Sequence, residues 1–572
     1  MKRILLLAYL LLPLLVWAQA PAFDFNKKLG RGINMGNMFD APTENGWGNQ
    51  WQEGYFEIIK NLGFSHVRIP IRWEPANRSM GEYPYTIYPT FFERIRYVVG
   101  DALDNGLYVI INMHHHEALY ENPDGQKERF LSQWGQISEY FKDYPDSLVF
   151  EILNEPHGNL SPGKWNIFLN DALQVIRASN KGRFVLIGIA EYGGLGGLSK
   201  LALPDDPGLI LTAHYYNPFH FTHQGAGWVG GHADEWLGTQ WFNMVSERET
   251  IRNEFIPLVQ FSEAHNIPVH IGEFGAYQAA DMDSRVRWTN YLARFFDISN
   301  FSWAYWEFSA GFGIYDKDTQ SIRRRLSDAL LNDPMPEPVK TTSKELFSSA
   351  FNSYAPGWDM YTHQGASANL HNVGGELKVQ IVNGSTEKWH VQLVKNNIRL
   401  EKGKVYELRF SARSPSARSI TVYLGKGSSP WTAYSDYTSF YIEPGKEAHS
   451  MVIQMLSNTD YNSRIVFDIG SVDGSLYLDD ISLNEVLVMA GTKELPANDF
   501  NIYPNPVSAR LYFNNISGIK NITITNISGQ VVRQIFPEKG TYYIDVSGLR
   551  NGIYLLRPEG GTSGIKKFCK IR

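Results

Sequence analysis

Between Gly30 and Asn332 the spacing of apolar residues switches repeatedly between two periods. Short runs rich in Ile, Val and Phe, namely "RGINMG", "HVRIPI", "LYVIINM", "LVFEIL", "RFVLIGI", "LILTAHYY", "PVHIGEF" and "FSWAYWEF", read as buried strands. Most are separated by stretches of helical period such as "WQEGYFEIIKNLG" and "FFERIRYVVGDALDNG". Continuous apolar strands alternating with helices belong to parallel sheets covered on both faces. The repeat over residues 22–336 predicts an α/β fold of eight βα units, a closed (β/α)8 TIM barrel. A doubly wound open sheet is the alternative, but no GxGxxG follows the first strand.

After the barrel the pattern changes. "LNDPMPEPVKTTSKE" has three prolines in a polar stretch and predicts a linker over 337–345. Residues 346–487 hold only short alternating segments, among them "LKVQIVN", "WHVQLV" and "SRIVFDI", which predict a β-sandwich. Residues 498–572 predict a small immunoglobulin-like antiparallel β-domain with Gly-rich turns. At the other end, Lys2 and Arg3 precede an apolar run from Ile4 to Trp17 and small residues at Ala18 and Ala20. This is the layout of a signal peptide, 1–18, since a cut after Ala20 would leave Pro21 directly behind it. The run falls short of the roughly 20 residues a membrane anchor needs. No membrane span is expected in the mature protein.

The balance of 53 basic against 59 acidic residues offers no basic stripe for a phosphate backbone, so nucleic acid is not an expected partner. The only cysteine, Cys569, rules out a disulfide framework or a thiolate cluster. The chain has 15 Trp and 31 Tyr, which in an exported protein suggests flat surfaces for sugar rings. A monomer is expected.

Functional groups of such a barrel gather at the carboxyl ends of its strands. Those ends carry Asn37, Arg68, His114 with His115, Asn154 with Glu155, His214 with Tyr216, Glu273 and Trp306. Glu155 and Glu273 project from strands four and seven across one mouth, where a glycosidic bond fits between them. One carboxyl must donate a proton and the other must be ionised, so their surroundings must separate their pKa values. Asn154 is suited to the sugar 2-hydroxyl, Arg68 and Tyr216 to keeping Glu273 ionised, and His214 to modulating either acid. The run His114–His116 invites a metal, but neighbouring residues of a strand end point in alternating directions and no HExxH spacing occurs. Neither a metal nor a cofactor is expected.

The runs "GRGINMGN", "VRIPIRW", "NMHHHE", "EILNEPHGNL", "HYYNPFHFTHQGA", "IGEFGAY" and "AYWEFSAGFGIYD" resemble glycoside hydrolase family 5, the clan A cellulase family, in its thermophilic endoglucanase and mannanase branch. The resemblance extends from Leu29 to Leu331. It implies a retaining endo-β-1,4-glucanase with Glu155 as acid/base and Glu273 as nucleophile. It further implies Arg68, His114, His115, Asn154, His214, Tyr216 and Trp306 as active-centre residues, and Asn37, His223 and Trp228 as sugar contacts. The substrate would be a β-1,4-linked polysaccharide, with β-glucan ranked first, mannan second and xyloglucan or xylan behind. Asp40 and His116 depart from the pattern, which puts outer subsite preference in question. "GGELKVQIVNG" and "LYLDDISLNEV" resemble jelly-roll carbohydrate-binding modules, with Trp389, Trp431 and Tyr434 as candidate stacking residues and Asp479 with Asp480 as a candidate calcium site. Tyr503, Pro504, Asn505 and Pro506, the run "LRNGIY" and the basic end resemble the C-terminal sorting domain of the type IX secretion system, which implies that machinery as a partner and a secreted or cell-surface protein.

Overall fold

The computed structural model describes residues 21–352, 357–488, 502–503, 507–513, 520–526, 530–537, 543–559 and 566–570. The signal-peptide segment 1–18 and Pro504–Pro506 lie outside them. The first unit is the expected closed barrel of eight parallel strands in sequence order. They are β1 (Arg31–Asn34), β2 (His66–Ile69), β3 (Tyr108–Asn112), β4 (Leu148–Glu151), β5 (Val185–Gly188), β6 (Leu209–His214), β7 (Val269–Glu273) and β8 (Ser302–Tyr305). Ile33 stands opposite Val67 on one side and Tyr305 on the other, which closes the ring.

Helices α1 (Pro21–Leu29), α2 (Tyr55–Leu62), α3 (Pro89–Asp104), α4 (Glu117–Glu121), α5 (Pro123–Tyr140), α6 (Pro162–Ser179), α7 (Phe219–Thr222), α8 (Val245–His265), α9 (Met282–Ile298) and α10 (Arg324–Leu331) accompany the strands. Their starts follow local chemistry. Proline opens α3, α5 and α6, where its missing N–H has no intrahelical role, and the Asp281 carboxylate caps α9 by accepting from Ser284 N at 2.9 Å. Strand alternation then sorts the two faces. Val109, Ile111, Leu148 and Phe150 point out into the core under the helices, whereas Ile110 and Val149 point inward and meet Ala22, Phe25 and Leu29 of α1, which closes the floor. Each buried Val, Leu, Ile or Phe among them stabilises by about 1.5–3 kcal/mol.

A short pair, β9 (Tyr315–Asp316) and β10 (Ser321–Ile322), precedes α10. Next come β11 (Thr341–Ser349), β12 (Asp359–Thr362), β13 (Ser367–Val373), β14 (Glu376–Asn383), β15 (Val391–Leu400), β16 (Val405–Arg413), β17 (Arg418–Lys426), β18 (Thr438–Ile442), β19 (Glu447–Gln454), β20 (Asp460–Asp468) and β21 (Gly474–Val488). They form two facing sheets, β13-β14-β21-β16-β19 with β11 added on β21, and β12-β15-β20-β17-β18, around one apolar core. Strand β11 begins inside the segment expected to be linker. Residues 341–345 are exposed on both faces, so they show no alternation to read, and they are held by pairing from Thr341↔Val488 to Glu345↔Asn484. The last unit has the strands β22 (Ile502–Tyr503), β23 (Arg510–Phe513), β24 (Asn521–Asn526), β25 (Val531–Ile535), β26 (Tyr543–Asp545), β27 (Gly552–Glu559) and β28 (Lys566–Lys570), in the sheets β22-β23-β26 and β25-β24-β27-β28. Among the described residues no helix is long and apolar enough to cross a membrane.

Candidate active site

Arg68, on β2, is wholly buried inside the barrel and organises the rim. Its Nε and Nη2 donate to Glu151 Oε2 and Oε1 at 2.6 and 2.8 Å, and its Nη1 donates to Glu273 Oε1 and Asn34 Oδ1, both at 2.8 Å. Nη2 also donates to Asn154 Oδ1 at 2.6 Å, which leaves the Asn154 Nδ2 as its donor toward the cleft. A buried cation is tolerable only with such pairing, and two carboxylates supply it. Asn34 is itself held by Gly272 O at 2.9 Å.

A register shift between Ala213 and His214 sets His214 opposite Glu273. His214 Nδ1 lies 2.7 Å from Glu155 Oε1 and 3.7 Å from Glu273 Oε2, while Tyr216 Oη donates to Glu273 Oε2 at 2.9 Å. The facing atoms of Glu155, His214 and Glu273 all lie within 4.8 Å of one another. Burial is the largest influence on all three groups and opposes their charged forms. For Glu155 the hydrogen bond and charge of His214, with His115 and His157, outweigh it and hold the carboxyl below its ordinary value. For Glu273 burial, helped by the charge of Glu155, prevails over His214, Arg68 and Tyr216, and the carboxyl stands above its ordinary value. For His214 burial is outweighed by Glu273 and Glu155, so its pKa rises.

Aromatic rings surround this centre. The Trp306 ring lies parallel to the His114 ring, 5.6 Å away at 4°, and a Cβ on Gly36 would come within 2.7 Å of the indole, so only glycine leaves it room. The His115 ring meets His114 edge-on at 4.6 Å and carries Trp47 on its other side at 5.8 Å. Across the cleft, His223 packs edge-on against Tyr216 at 5.0 Å and stacks on Phe219 at 4.1 Å. Trp228, 62 % exposed, stands edge-on to Tyr277 at 4.9 Å. Asn37 has a left-handed backbone (φ 63°), held because Asp40 Oδ2 and Oδ1 accept from Asn37 N and Met38 N at 3.0 and 2.8 Å.

Every residue expected at the strand ends is therefore at one rim, and the two departures from the family pattern, Asp40 and His116, sit in turns beside it. Asp40 is buried beneath its own turn, with its carboxyl pushed up to about 7 by that burial, and His116 is buried at the start of α4, where its Nδ1 accepts from Leu119 N at 3.2 Å. Both brace backbone, and the Asp40 carboxylate also lies close to the His114 and His115 rings. The alternation argument against a shared ion holds for His116, which turns away, but Asp40, His114 and His115 do bring three ligand atoms within 4.8 Å of one another. Sequence reasoning passed over Glu151 and Asn34, although an acid inside the apolar run "LVFEIL" needs a buried cation and so signals one. It also passed over Glu307, whose carboxylate accepts from the backbone N of Ser309, Ala310 and Phe312 directly behind Trp306.

On the sandwich, Trp389 and Trp431 are 44 % and 50 % exposed, and the Arg464 guanidinium covers the Trp431 ring at 4.5 Å. Tyr434 is packed against the core, with its Oη donating to Asp460 Oδ2 at 2.9 Å. Lys446 Nζ lies 2.7 Å from Asp479 and 3.7 Å from Asp480, so the two acids share one ammonium partner.

Three segments of the chain match known families. Residues 27–311 match Cellulase (glycosyl hydrolase family 5), residues 343–469 match a carbohydrate binding domain, and residues 501–571 match a secretion system C-terminal sorting domain. The chain is 36 % identical over 317 residues to Endoglucanase H of Acetivibrio thermocellus, a match covering 54 % of this chain and 33 % of that protein. It thus spans about a third of that relative's length. It is 31 % identical over 293 residues to Endoglucanase 1 of Ruminococcus albus, covering 46 % of this chain and 68 % of the relative. The barrel is also similar to Thermotoga maritima Cel5A, solved with mannotriose, at 47 % identity and a TM-score of 0.53 over 54 % of this chain and 99 % of that one. A cellobiose complex of Cel5A matches at 48 % identity with the same TM-score and the same coverage.

Proposed function

The chain belongs to glycosyl hydrolase family 5, and from that premise we propose that it is an exported endo-β-1,4-glucanase acting by double displacement. The observation that carries this reading is the approach of Glu155 and Glu273 within 4.8 Å, each with its own set of donors. Retaining pairs stand about 5–5.5 Å apart, whereas inverting pairs need about 6.5–9.5 Å to admit a water. Glu273, with Arg68 and Tyr216 donating to separate oxygens, attacks the anomeric carbon. Glu155 gives its proton to the departing glycosidic oxygen, then takes one from the water that releases the sugar from Glu273.

Their protein surroundings alone order the two carboxyls against that first step, Glu155 low and Glu273 high. A sugar bound between them moves Glu155 toward the protonated form that step requires. It excludes the solvent that still reaches 27 % of the Glu155 side chain, which raises that carboxyl, while Glu273 keeps both of its donors. Asn154 Nδ2 is the donor for the sugar 2-hydroxyl, and Trp306, His114, His223 and Trp228 form the walls on which rings stack. We rank β-glucan first and mannan second, because the similar proteins are named endoglucanases and Cel5A is described with cellobiose and with mannotriose. The sandwich serves as a carbohydrate-binding module, with Trp431 and Trp389 as its exposed rings. The C-terminal unit is the address for type IX export to the outside or the cell surface, following passage by the signal peptide.

Hydrolysis of carboxymethylcellulose, barley β-glucan and glucomannan, with the anomer of the product followed by NMR, tests this function. β-Anomeric products released first support the retaining pair. Silence on all three from folded protein would replace it with a carbohydrate-binding surface protein.

A further inference from the structure

The sandwich is bonded to the barrel along one side. Helix α8 leans on β18 and β19, with Thr250 Oγ1 donating to Ser450 O at 2.7 Å and Gln260 Nε2 to Glu443 Oε1 at 2.9 Å. Nearby, Gln240 N donates to Gln454 Oε1 at 2.9 Å. Between these contacts lies a cavity of about 330 Å³, walled by Phe219, His220, Trp236 and Glu254 of the barrel and Asp436 and Tyr437 of the sandwich.

One of these bonds differs from the rest, because it reaches the loop that carries the sugar-contacting rings. Asp436, between β17 and β18, accepts from His220 N at 3.0 Å and also faces the Phe219 amide. These amides open α7, where no intrahelical acceptor exists for them. The aspartate is itself fixed. Ser435 Oγ donates to Asp436 O at 2.9 Å and accepts from Leu424 N of β17 at 3.0 Å. From α7 the contacts continue inward. Phe219 stacks on His223, His220 stacks on Trp236 at 4.4 Å, and Thr222 Oγ1 donates to Tyr216 O at 2.5 Å, while the Tyr216 hydroxyl rests on Glu273.

We propose that Asp436 is a positioning residue supplied to the cleft by the sandwich: by holding the Phe219 and His220 amides it sets the Phe219–His223 platform on which a long chain rests. The sandwich then contributes to affinity in the cleft as well as through any sugar-binding face of its own. This inference rests on the glycanase reading above and assigns Asp436 no part in the chemistry.

The test compares Asp436→Ala, Asp436→Asn and Gln454→Ala in the full chain on cello-oligosaccharides of increasing length. Asp436→Ala should raise KM about two- to tenfold, the worth of a hydrogen bond or two, only for chains long enough to reach His223, with kcat retained. Asp436→Asn keeps an acceptor oxygen and should restore KM. Gln454→Ala removes a different bond between the two units and should leave KM unchanged. Hydrogen exchange over residues 219–229 gives a readout independent of hydrolysis, and it should quicken in Asp436→Ala alone. Asp436→Leu, which withdraws the acceptor at nearly the same side-chain volume, repeats both measurements if the alanine variant does not fold. Unchanged exchange, or a KM rise that ignores chain length or is shared by Gln454→Ala, overturns the proposal. If the wild type hydrolyses nothing, the glycanase reading fails and the exchange result alone decides the role of Asp436.

Discussion

At the floor of the barrel, His270 Nδ1 meets Ser302 Oγ at 2.7 Å, Ser302 Oγ donates to Asn26 Oδ1 at 2.6 Å, and His66 Nδ1 lies 2.8 Å from Leu29 O. At the rim, Arg68 is clamped between Glu151 and Glu273, and His214 lies between Glu273 and Glu155. Both ends bury polar groups, by different means. Burial depresses His66 to about 4 and His270 well below its ordinary value, so the floor is a set of neutral dipoles, each imidazole bonded through Nδ1 while its Nε2 is buried without a partner. The rim keeps charges: Glu151 and Glu273 are buried with donors on both oxygens, and Glu155 alone keeps a partly open side chain. A neutral network avoids the cost of buried charge, whereas charges paired in a cleft are the usual mark of a site tuned for a reaction.

The comparison breaks most sharply at the nucleophile. Glu273→Gln should remove between about 10⁴- and 10⁶-fold of kcat on β-glucan while the melting temperature stays close to wild type; activity near wild type would end the assignment. Glu155→Ala should lose about 10²–10⁴-fold on polysaccharide but little in the first step on aryl glycosides with good leaving groups, which depart without a proton. Equal losses on both substrates would remove the acid role.

Stability should divide the same two regions. Arg68→Leu strands Glu151 and Glu273 without their cation and should cost about 3–5 kcal/mol in urea unfolding. His270→Ala at the floor should cost about 1–3 kcal/mol and leave kcat of the folded protein within about twofold of wild type. A floor variant that lowers kcat more than it lowers stability would show that the two ends are not separate in function.

The barrel was legible because eight apolar strands and their intervening helices each bury a face, and burial writes its period into the sequence. Glu155, Glu273 and their neighbours were legible because they stand just past those strands. What escaped was set by partners rather than by pattern. Glu151 shares the inward parity of Val149 on β4, yet one acid in an apolar run does not name the arginine that neutralises it. Asp40 and His116 depart from the expected types at positions where the local turn decides their role, and residue type alone does not report which way a turn folds. Strand β11 starts where both of its faces are open, so its first residues carry no alternation. The bond between Asp436 and α7 joins residues 216 positions apart, a distance over which one sequence holds no signal.

The smallest effect is the one that probes the rim's electrostatics directly. His214 lies close to both carboxyls, and its charge lowers each of them against burial. Its removal in His214→Ala leaves burial less opposed, so both carboxyls rise. The acidic limb of the kcat/KM profile follows the carboxyl that must ionise and the alkaline limb follows the one that must keep its proton. Both limbs should therefore move to higher pH together, as expected for a coupled pair whose apparent values belong to both members. Stability gives an independent sign. His214 binds its proton more tightly folded than unfolded, so it stabilises fully below the ordinary histidine pKa and loses that contribution as pH rises through the folded value. The melting-temperature gap between wild type and His214→Ala should then be widest in acid and narrow toward alkaline pH. A bell whose limbs stay in place, or a gap that widens as pH rises, would mean that His214 is neutral in the cleft and acts on Glu155 through geometry alone.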